Sequence, residues 1–173
     1  MHEGKQPTFD LEALVDKYSA MVISQAYFYL KDRQRAEDIC QDVFLRLYNK
    51  KPLLPDAQSE KAYILRVTIN ACKDYLKSAW NRKVSYICEN YDAPSPCQTP
   101  ESTVVDMEQK QLLLDCVMEL PDIYKDVILL FYYQELSTEE IARVLGVPGV
   151  TVRTRLMRAR DKLQTLLRRR QIS

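Results

Sequence analysis

The sequence of 173 residues, 46% of them hydrophobic and 28% charged, is ordinary for one or two small globular domains with apolar cores. It contains no apolar run long enough to span a membrane and no signal-peptide core, so we expect a cytoplasmic protein without membrane insertion. The net charge of +1 conceals an uneven distribution. Residues 151–173 carry eight basic side chains and one acidic one, whereas residues 85–116 carry six acidic side chains and one basic one. This asymmetry predicts segments with separate roles.

Periodic apolar residues predict helices along the first half of the chain, and no segment shows the alternation that is typical of strands. The predicted helices cover residues 8–30, 35–50 and 59–81. Between the last two, the prolines of residues 51–58 predict a loop.

The second half begins with a polar segment at 84–102 that contains three prolines and predicts a linker. Helices are then predicted at 103–119 and 121–133, followed by a pair of shorter helices. We therefore expect an all-α fold with two small helical domains and a flexible linker between them. The expected boundaries are 8–84 for the first domain, 85–102 for the linker and 103–171 for the second domain.

The second predicted helix has two distinct faces. Its apolar residues fall on one side and are predicted core residues: Ala36, Ile39, Cys40, Val43, Phe44 and Leu47. The opposite side carries Asp38, Gln41, Asp42, Leu45 and Asn49. A leucine surrounded by acids and an amide is typical of a protein-docking surface, although single exposed leucines are also common without any partner. Both interpretations of Leu45 stay open on these residues alone.

The third predicted helix combines an apolar side with a cationic stripe. The residues predicted to face inward are Ile64, Leu65, Thr68, Ile69, Cys72, Tyr75, Leu76 and Ala79. The cationic stripe consists of Arg66, Asn70, Lys73 and Lys77, with Tyr63 and Asp74 on its flank. Such a stripe suits single-stranded or opened DNA, because cations follow the phosphates, an aromatic ring stacks on a base and an amide can contact a base edge. A solvated lysine-rich face is the alternative.

Residues 137–160 carry the signals of a helix-turn-helix. Ser137 and Glu140 form a capping-box pattern at the start of one helix, and Gly146 can end that helix in a left-handed conformation. Pro148 cannot continue it, and a second helix is predicted from about Thr151.

The second helix of this motif has a basic outer surface. Its predicted inner residues are Val152, Leu156, Ala159 and Leu163. Its outer face carries Thr154, Met157 and Asp161, flanked by Arg153, Arg155, Arg158, Arg160 and Lys162. An arginine-rich second helix is typical of a recognition helix in a DNA major groove, and a solvated basic helix is the alternative.

The cysteines and the single histidine limit the chemistry that this chain could perform. The cysteines are Cys40, Cys72, Cys88, Cys97 and Cys116. The first, second and last fall within helical patterns and are predicted core or boundary residues, whereas a redox role stays open for the two in the linker. His2 alone cannot form a zinc site. Without a nucleophile–base pair, a phosphate-binding glycine loop or a metal cluster, we expect no enzyme activity, no metal and no cofactor.

Three stretches of the chain resemble the extracytoplasmic-function (ECF) sigma factor family of bacterial RNA polymerase. They are AEDICQDVFLRLY (36–48), AYILRVTINACKDYLKSAWNRK (62–83) and LPDIYKDVILLFYYQELSTEEIARVLGVPGVTVRTRLMRAR (120–160). The first resembles the family's helix that binds the polymerase clamp. The second resembles its helix for the promoter's minus-ten element, and the third its domain for the minus-thirty-five element.

The resemblance implies an RNA polymerase sigma factor that binds core polymerase, directs it to promoters and assists promoter opening. It also implies an anti-sigma protein as a partner. The residues expected to bind polymerase are Asp38, Gln41, Asp42 and Leu45. Those expected to bind the minus-ten DNA are Tyr63, Arg66, Asn70, Lys73 and Lys77. Those expected to bind the minus-thirty-five DNA are Thr151, Arg153, Thr154, Arg155, Met157 and Arg158.

Two positions depart from the family's usual pattern. Tyr63 stands where the family often has tryptophan. The family usually has glycine directly before the Thr-Val pair of the recognition helix, whereas here Val150 occupies that position and Gly149 precedes it. A stand-alone helix-turn-helix regulator and a protein that only binds a partner are the alternatives. The polar side of the second predicted helix and the cationic stripe of the third favour a sigma factor over the regulator. The arginine-rich second helix of the helix-turn-helix favours it over a protein that only binds a partner.

Overall fold

The structure is a computed structural model that describes residues 9–85 and 104–171, with their side chains at 9–79 and 109–170. These residues form two compact units. The front unit contains α1 (Leu11–Leu30), α2 (Arg33–Lys50) and α3 (Ala57–Ser85). The rear unit contains α4 (Val104–Glu119), α5 (Asp122–Tyr132), α6 (Thr138–Leu145) and α7 (Gly149–Gln171). Every regular element of the described residues is a helix, which confirms the predicted all-α class. Apart from its first residue, Ser85, which ends α3, the predicted linker 85–102 lies outside the described residues.

Aspartate side chains determine where the helices of the front unit begin. Asp10, Asp32 and Asp56 each accept a hydrogen bond from the backbone N–H three residues later, at 3.1, 3.1 and 2.7 Å. Because this bond satisfies an N–H that has no partner inside the helix, each helix starts directly after its aspartate. Helices α2 and α3 therefore begin at Arg33 and Ala57, both earlier than predicted.

The core of the front unit lies between α1, α2 and α3, which all contact one another. The six predicted core residues of α2 are all buried, which confirms that side of the helix. They pack with buried residues of α1 and α3: Leu14, Tyr18, Val22, Ala26, Tyr29, Ile64, Leu65, Ile69, Ala71 and Cys72. With this side of each helix used for packing, the remaining sides are available for other contacts.

The inward orientation predicted for Leu76 is wrong, since its side chain is 40% exposed. Helix α3 has 29 residues, whereas α1 has 20 and α2 has 18. At 1.5 Å per residue, α3 is longer than these helices by about 13–17 Å. Its C-terminal part therefore extends beyond the core, which leaves Leu76 at the surface.

In the rear unit, α7 packs against α4, α5 and α6. The predicted inner side of α7 is confirmed for Val152, Leu156 and Ala159, which are buried, while Leu163 is half-buried. The facing helices contribute buried apolar residues to the same core: Cys116, Val117, Val127, Ile128, Leu129, Leu130, Ile141 and Val144. One side of α7 is thereby anchored along its first half.

The turn between α6 and α7 has the predicted geometry. The Ser137 hydroxyl accepts a hydrogen bond from the Glu140 N–H at 3.3 Å, and the Glu140 carboxylate accepts one from the Ser137 N–H at 2.8 Å, which confirms the capping box. Gly146 ends α6 with φ 66° and ψ 36°, a left-handed conformation that side chains disfavour. The carbonyl of Pro148 accepts from the Val152 N–H at 3.2 Å, so α7 begins at Gly149 and not near Thr151.

Candidate polymerase- and DNA-binding surfaces

The outer face of α2 consists of Asp38, Gln41, Asp42, Leu45 and Asn49, and it points away from the core. Four of these side chains are exposed and that of Asp42 is half-buried. Leu45 is 58% exposed, so water covers most of an apolar side chain that acids and amides surround. Surfaces of this kind bind protein partners by burying the apolar centre within a polar rim.

Two residues that the sequence analysis missed extend this face. Tyr48 is 52% exposed, and it follows Leu45 by three residues, which places both on the same side of α2. Arg46 forms an ion pair with Asp42 at 2.8 Å and lies 4.0 Å from the Asp74 carboxylate of α3. The helical spacing could have identified Tyr48, whereas the contact to Asp74 depends on how α2 and α3 pack.

The cationic stripe of α3 lies largely on the surface, as predicted. Arg66, Asn70 and Lys77 are exposed, and Lys73 is half-buried. Tyr63, on the flank of the stripe, is also half-buried. Because Ile64, Leu65, Thr68 and Ile69 on the opposite side are buried, α3 is held with the stripe facing outward.

The loop of residues 51–56 leads into α3, and a polar network holds the start of that helix against α1. The Glu60 carboxylate lies 2.9 Å from the Lys17 ammonium and 2.9 Å from the Tyr18 hydroxyl, which donates to it. The hydrogen bond to Glu60 raises the pKa of Lys17, and burial raises the pKa of Tyr18, so both groups keep their protons at neutral pH. This network connects residues far apart in sequence and was not predicted.

A cavity of about 230 Å³ lies between this loop and the start of α1. Its lining includes Phe9, Asp10, Lys17, Lys51, Leu54 and Glu60. On the loop itself, Leu53 is 84% exposed. The loop therefore offers an apolar tip and a cavity with both cationic and acidic walls.

The outer face of α7 presents the predicted recognition residues. Arg153, Met157 and Arg158 are exposed, whereas Thr151, Thr154 and Arg155 are half-buried. Glu139 of α6 lies 3.7 Å from the Arg153 guanidinium and restricts where that side chain can point. Val150, which the sequence analysis did not select, is 65% exposed and lies on the same side as Met157.

Arg160 is bound to α5 and so differs from the other arginines that flank this face. Its guanidinium donates to the Tyr132 hydroxyl at 3.0 Å and lies 5.5 Å from the centre of the Phe131 ring. Cation–π contacts of this kind hold the side chain in place. Arg160 therefore contributes to packing of α7 on α5 and is less available to DNA than Arg153 or Arg158.

The buried cysteine thiols have low chemical reactivity. Cys40, Cys72 and Cys116 are buried free cysteines, as predicted. Burial raises the pKa of Cys72 to about 12, so its thiol stays protonated and weakly nucleophilic. Cys88 and Cys97 lie outside the described residues.

Among the described residues, no group of histidine, cysteine or acidic side chains has the arrangement of a metal site. No helix within the described ranges has the length and apolar character needed to cross a membrane.

Two protein families match separate parts of the chain. Residues 14–82 match the Sigma-70 region 2 family, and residues 110–163 match the Sigma-70, region 4 family. The first match contains the outer face of α2 and the cationic stripe of α3. The second contains the helix-turn-helix and the outer face of α7.

Curated proteins and solved structures agree with these matches. The ECF RNA polymerase sigma factor SigW of Bacillus subtilis is 30% identical over 96% of this chain and 92% of its own length. The ECF RNA polymerase sigma-E factor of Escherichia coli K12 is 28% identical over 98% and 93% of the two chains. The sigma factor RpoE of Bartonella quintana, solved with the anti-sigma factor NepR, has the same fold with a TM-score of 0.69 at 19% identity, covering 93% of this chain and 98% of its own. This chain therefore belongs to the ECF family of RNA polymerase sigma factors.

Proposed function

We propose that this sigma factor uses three separate surfaces, one for the polymerase and two for the promoter. The outer face of α2, with Tyr48, binds core polymerase. The cationic stripe of α3 binds opened minus-ten DNA, and the outer face of α7 binds the minus-thirty-five element as a duplex. The protein acts in the cytoplasm, where polymerase and promoters are found, and it contributes binding energy and no catalytic step.

The geometry of α7 carries this proposal. The capping box at Ser137, the left-handed Gly146 and the buried Val152 and Leu156 hold α6 and the start of α7 in the arrangement of a helix-turn-helix. The opposite side of α7 presents Arg153, which can donate two hydrogen bonds to a guanine edge. A helix-turn-helix with an arginine-bearing outer face fits a major groove.

The experiment that tests this function is retention of core polymerase by the tagged protein, followed by run-off transcription from a promoter of the native host. We expect the protein to retain core polymerase and to produce a transcript that core polymerase alone does not make. A stand-alone regulator would bind upstream duplex without polymerase. Retention of no polymerase, or no transcript above the core background, would contradict the proposal.

Substituting Arg153 or Arg158 by alanine is expected to relax sequence preference at one upstream base pair for each variant. Loss of a bidentate contact to guanine changes the discrimination at that pair by about 1–3 kcal/mol. Binding of the polymerase complex to a set of single-base promoter variants, at one salt concentration, measures this effect. The matched control is Arg168→Ala, because this exposed arginine lies near the end of α7, far from its start. An equal loss on every sequence would mean that the arginine contacts phosphate only.

We also propose that an anti-sigma protein sequesters this chain. Family membership and the predicted linker, which would let one inhibitor hold both units, motivate the proposal. Two exposed apolar surfaces support it: the Leu45–Tyr48 pair, and a cavity of about 510 Å³ in the rear unit whose lining includes the exposed Leu113, Tyr132 and Tyr133. Purification of the tagged chain from its native host during ordinary growth should recover a small partner in near-stoichiometric amount. A chain that is free and active under those conditions would contradict the proposal.

A further inference from the structure

Two apolar side chains interrupt the polar outer face of α7. Val150 is 65% exposed and Met157 is 57% exposed. Seven residues make almost two full turns, so both side chains lie on one side of the helix, about 10.5 Å apart along its axis. Single exposed apolar residues are ordinary. This pair is notable because Arg153 and Arg158 lie on the same face.

The fold of the rear unit does not require these two side chains. The inner side of α7 is filled by Val152, Leu156 and Ala159, all of which are buried. Between the two exposed side chains, the Thr154 hydroxyl donates to the Val150 carbonyl at 3.0 Å, so its hydrogen is not available to a base. The centre of the outer face therefore offers apolar surface where a recognition helix often offers hydrogen-bond donors.

The major groove contains one apolar group that such surface can match, the C5-methyl group of thymine. Valine or methionine placed on the edge of guanine, adenine or cytosine would instead remove water from a donor or an acceptor without replacing its hydrogen bond. Thymine is therefore the base that both side chains favour.

We propose that Val150 and Met157 each contact the C5-methyl group of a thymine in the minus-thirty-five element. The two thymines are expected within about three base pairs of each other, since base pairs rise by about 3.4 Å and the side chains are separated by about 10.5 Å along α7. The thymines can be on either strand. This inference rests on the proposed docking of α7 in the major groove. It adds that α7 prefers thymine at two positions of the element.

Selection and methyl deletion together test this proposal. Full-length protein in complex with core polymerase first selects its preferred promoters from duplexes randomised in the upstream element. Each thymine of the selected element is then replaced in turn by uracil, which removes the methyl group and keeps the base pair. We expect two positions at which uracil weakens binding about fourfold, the effect of losing one buried methyl-sized group.

Alanine variants assign each methyl group to a side chain. Val150→Ala should remove the sensitivity to uracil at one of the two positions, and Met157→Ala should remove it at the other. Ile123→Ala is the matched control, because it removes an exposed apolar side chain of the same unit that belongs to α5 and not to α7, and it should leave both sensitivities unchanged. Circular dichroism of each variant confirms that the helices remain formed.

The outcomes separate this inference from the proposed function. Three results would each overturn the inference while leaving α7 as the promoter-binding helix. The selected element could lack two nearby thymines, uracil could bind as well as thymine at every position, or the loss of binding on uracil replacement could be the same in both alanine variants and the unsubstituted protein. If the polymerase complex shows no preference for any upstream sequence, the proposed function of α7 fails, and the inference fails with it.

Discussion

The variant Asp42→Arg is expected to weaken binding to core polymerase by about thirtyfold or more while leaving the helices intact. Asp42 is half-buried on the outer face of α2, beside the exposed Leu45. If this face is the docking surface, the substitution places a cation where the partner has evolved to meet an anion, and like charges at an interface cost several kcal/mol. A loss of about 2 kcal/mol, typical of an important interface residue, corresponds to that factor of thirty.

The internal cost of this substitution is small by comparison. Asp42 pairs with Arg46 at 2.8 Å on the same helix, and the variant replaces that attraction by repulsion. Pairs at this spacing contribute about 0.2–0.5 kcal/mol in either direction, so the free energy of unfolding should fall by less than about 1 kcal/mol. Thermal unfolding followed by circular dichroism checks this estimate independently of polymerase binding.

Two controls isolate the effect of the charge reversal. Asp42→Asn removes the ion pair with Arg46 without adding a cation, so it should weaken polymerase binding much less than Asp42→Arg does. Asp16→Arg makes the same charge change at an exposed site of α1 and should leave polymerase binding unchanged. An unchanged affinity of the Asp42→Arg protein for core polymerase would refute the assignment of this face.

Features that depend on residues close in sequence could be predicted from the sequence. The two sides of α2 follow from helical spacing, and all six predicted core residues are buried. The capping box at Ser137 and the left-handed Gly146 follow from local backbone chemistry. The caps at Asp32 and Asp56 have the same local origin, and the predicted helix starts missed them because apolar periodicity does not mark the cap.

Features that depend on packing between distant residues could not be predicted in this way. The hydrogen bond from Arg160 to Tyr132 joins α7 to α5, and the Glu60 network joins α3 to α1. Apolar periodicity indicates which side of a helix is apolar, but not where the neighbouring helices end. Leu76 lies on the apolar side of α3 and is nevertheless exposed, because no neighbouring helix in the part of the chain that the structure describes covers it. The candidate binding residues could be selected from local pattern alone, because an exposed apolar side chain such as Leu45 interrupts a polar helix face.

The cationic stripe of α3 is expected to make the front unit prefer single-stranded DNA over the same sequence as a duplex. Arg66, Lys73 and Lys77 can neutralise phosphates, and Tyr63 can stack on a base that has left the duplex. The loop of residues 51–56 leads into the same helix and borders a cavity with both cationic and acidic walls, large enough to receive part of an unstacked base. A duplex keeps its bases paired and offers neither the stacking surface nor the free base edge.

Binding of fluorescent non-template-strand oligonucleotides to residues 8–85, and to the full chain, tests this preference. With three cations on phosphates, the logarithm of affinity should fall with the logarithm of salt concentration with a slope of about −2. Lys77→Ala should make that slope shallower by about 0.7, because one phosphate contact is lost, and should weaken binding equally for all sequences. Asn70→Ala should instead reduce the discrimination between sequences more than the affinity, since an amide contacts base edges.

Arg33→Ala is the control for Lys77→Ala, because it removes an exposed cation of the same unit that lies outside the stripe and pairs with Glu37. It should leave the salt dependence unchanged. Circular dichroism of the shortened chain establishes that α1–α3 remain folded before any comparison is made. If the folded front unit and the full chain both bind single strand and duplex equally, α3 only docks on the promoter, and the energy for separating the strands must come from other contacts of the polymerase complex.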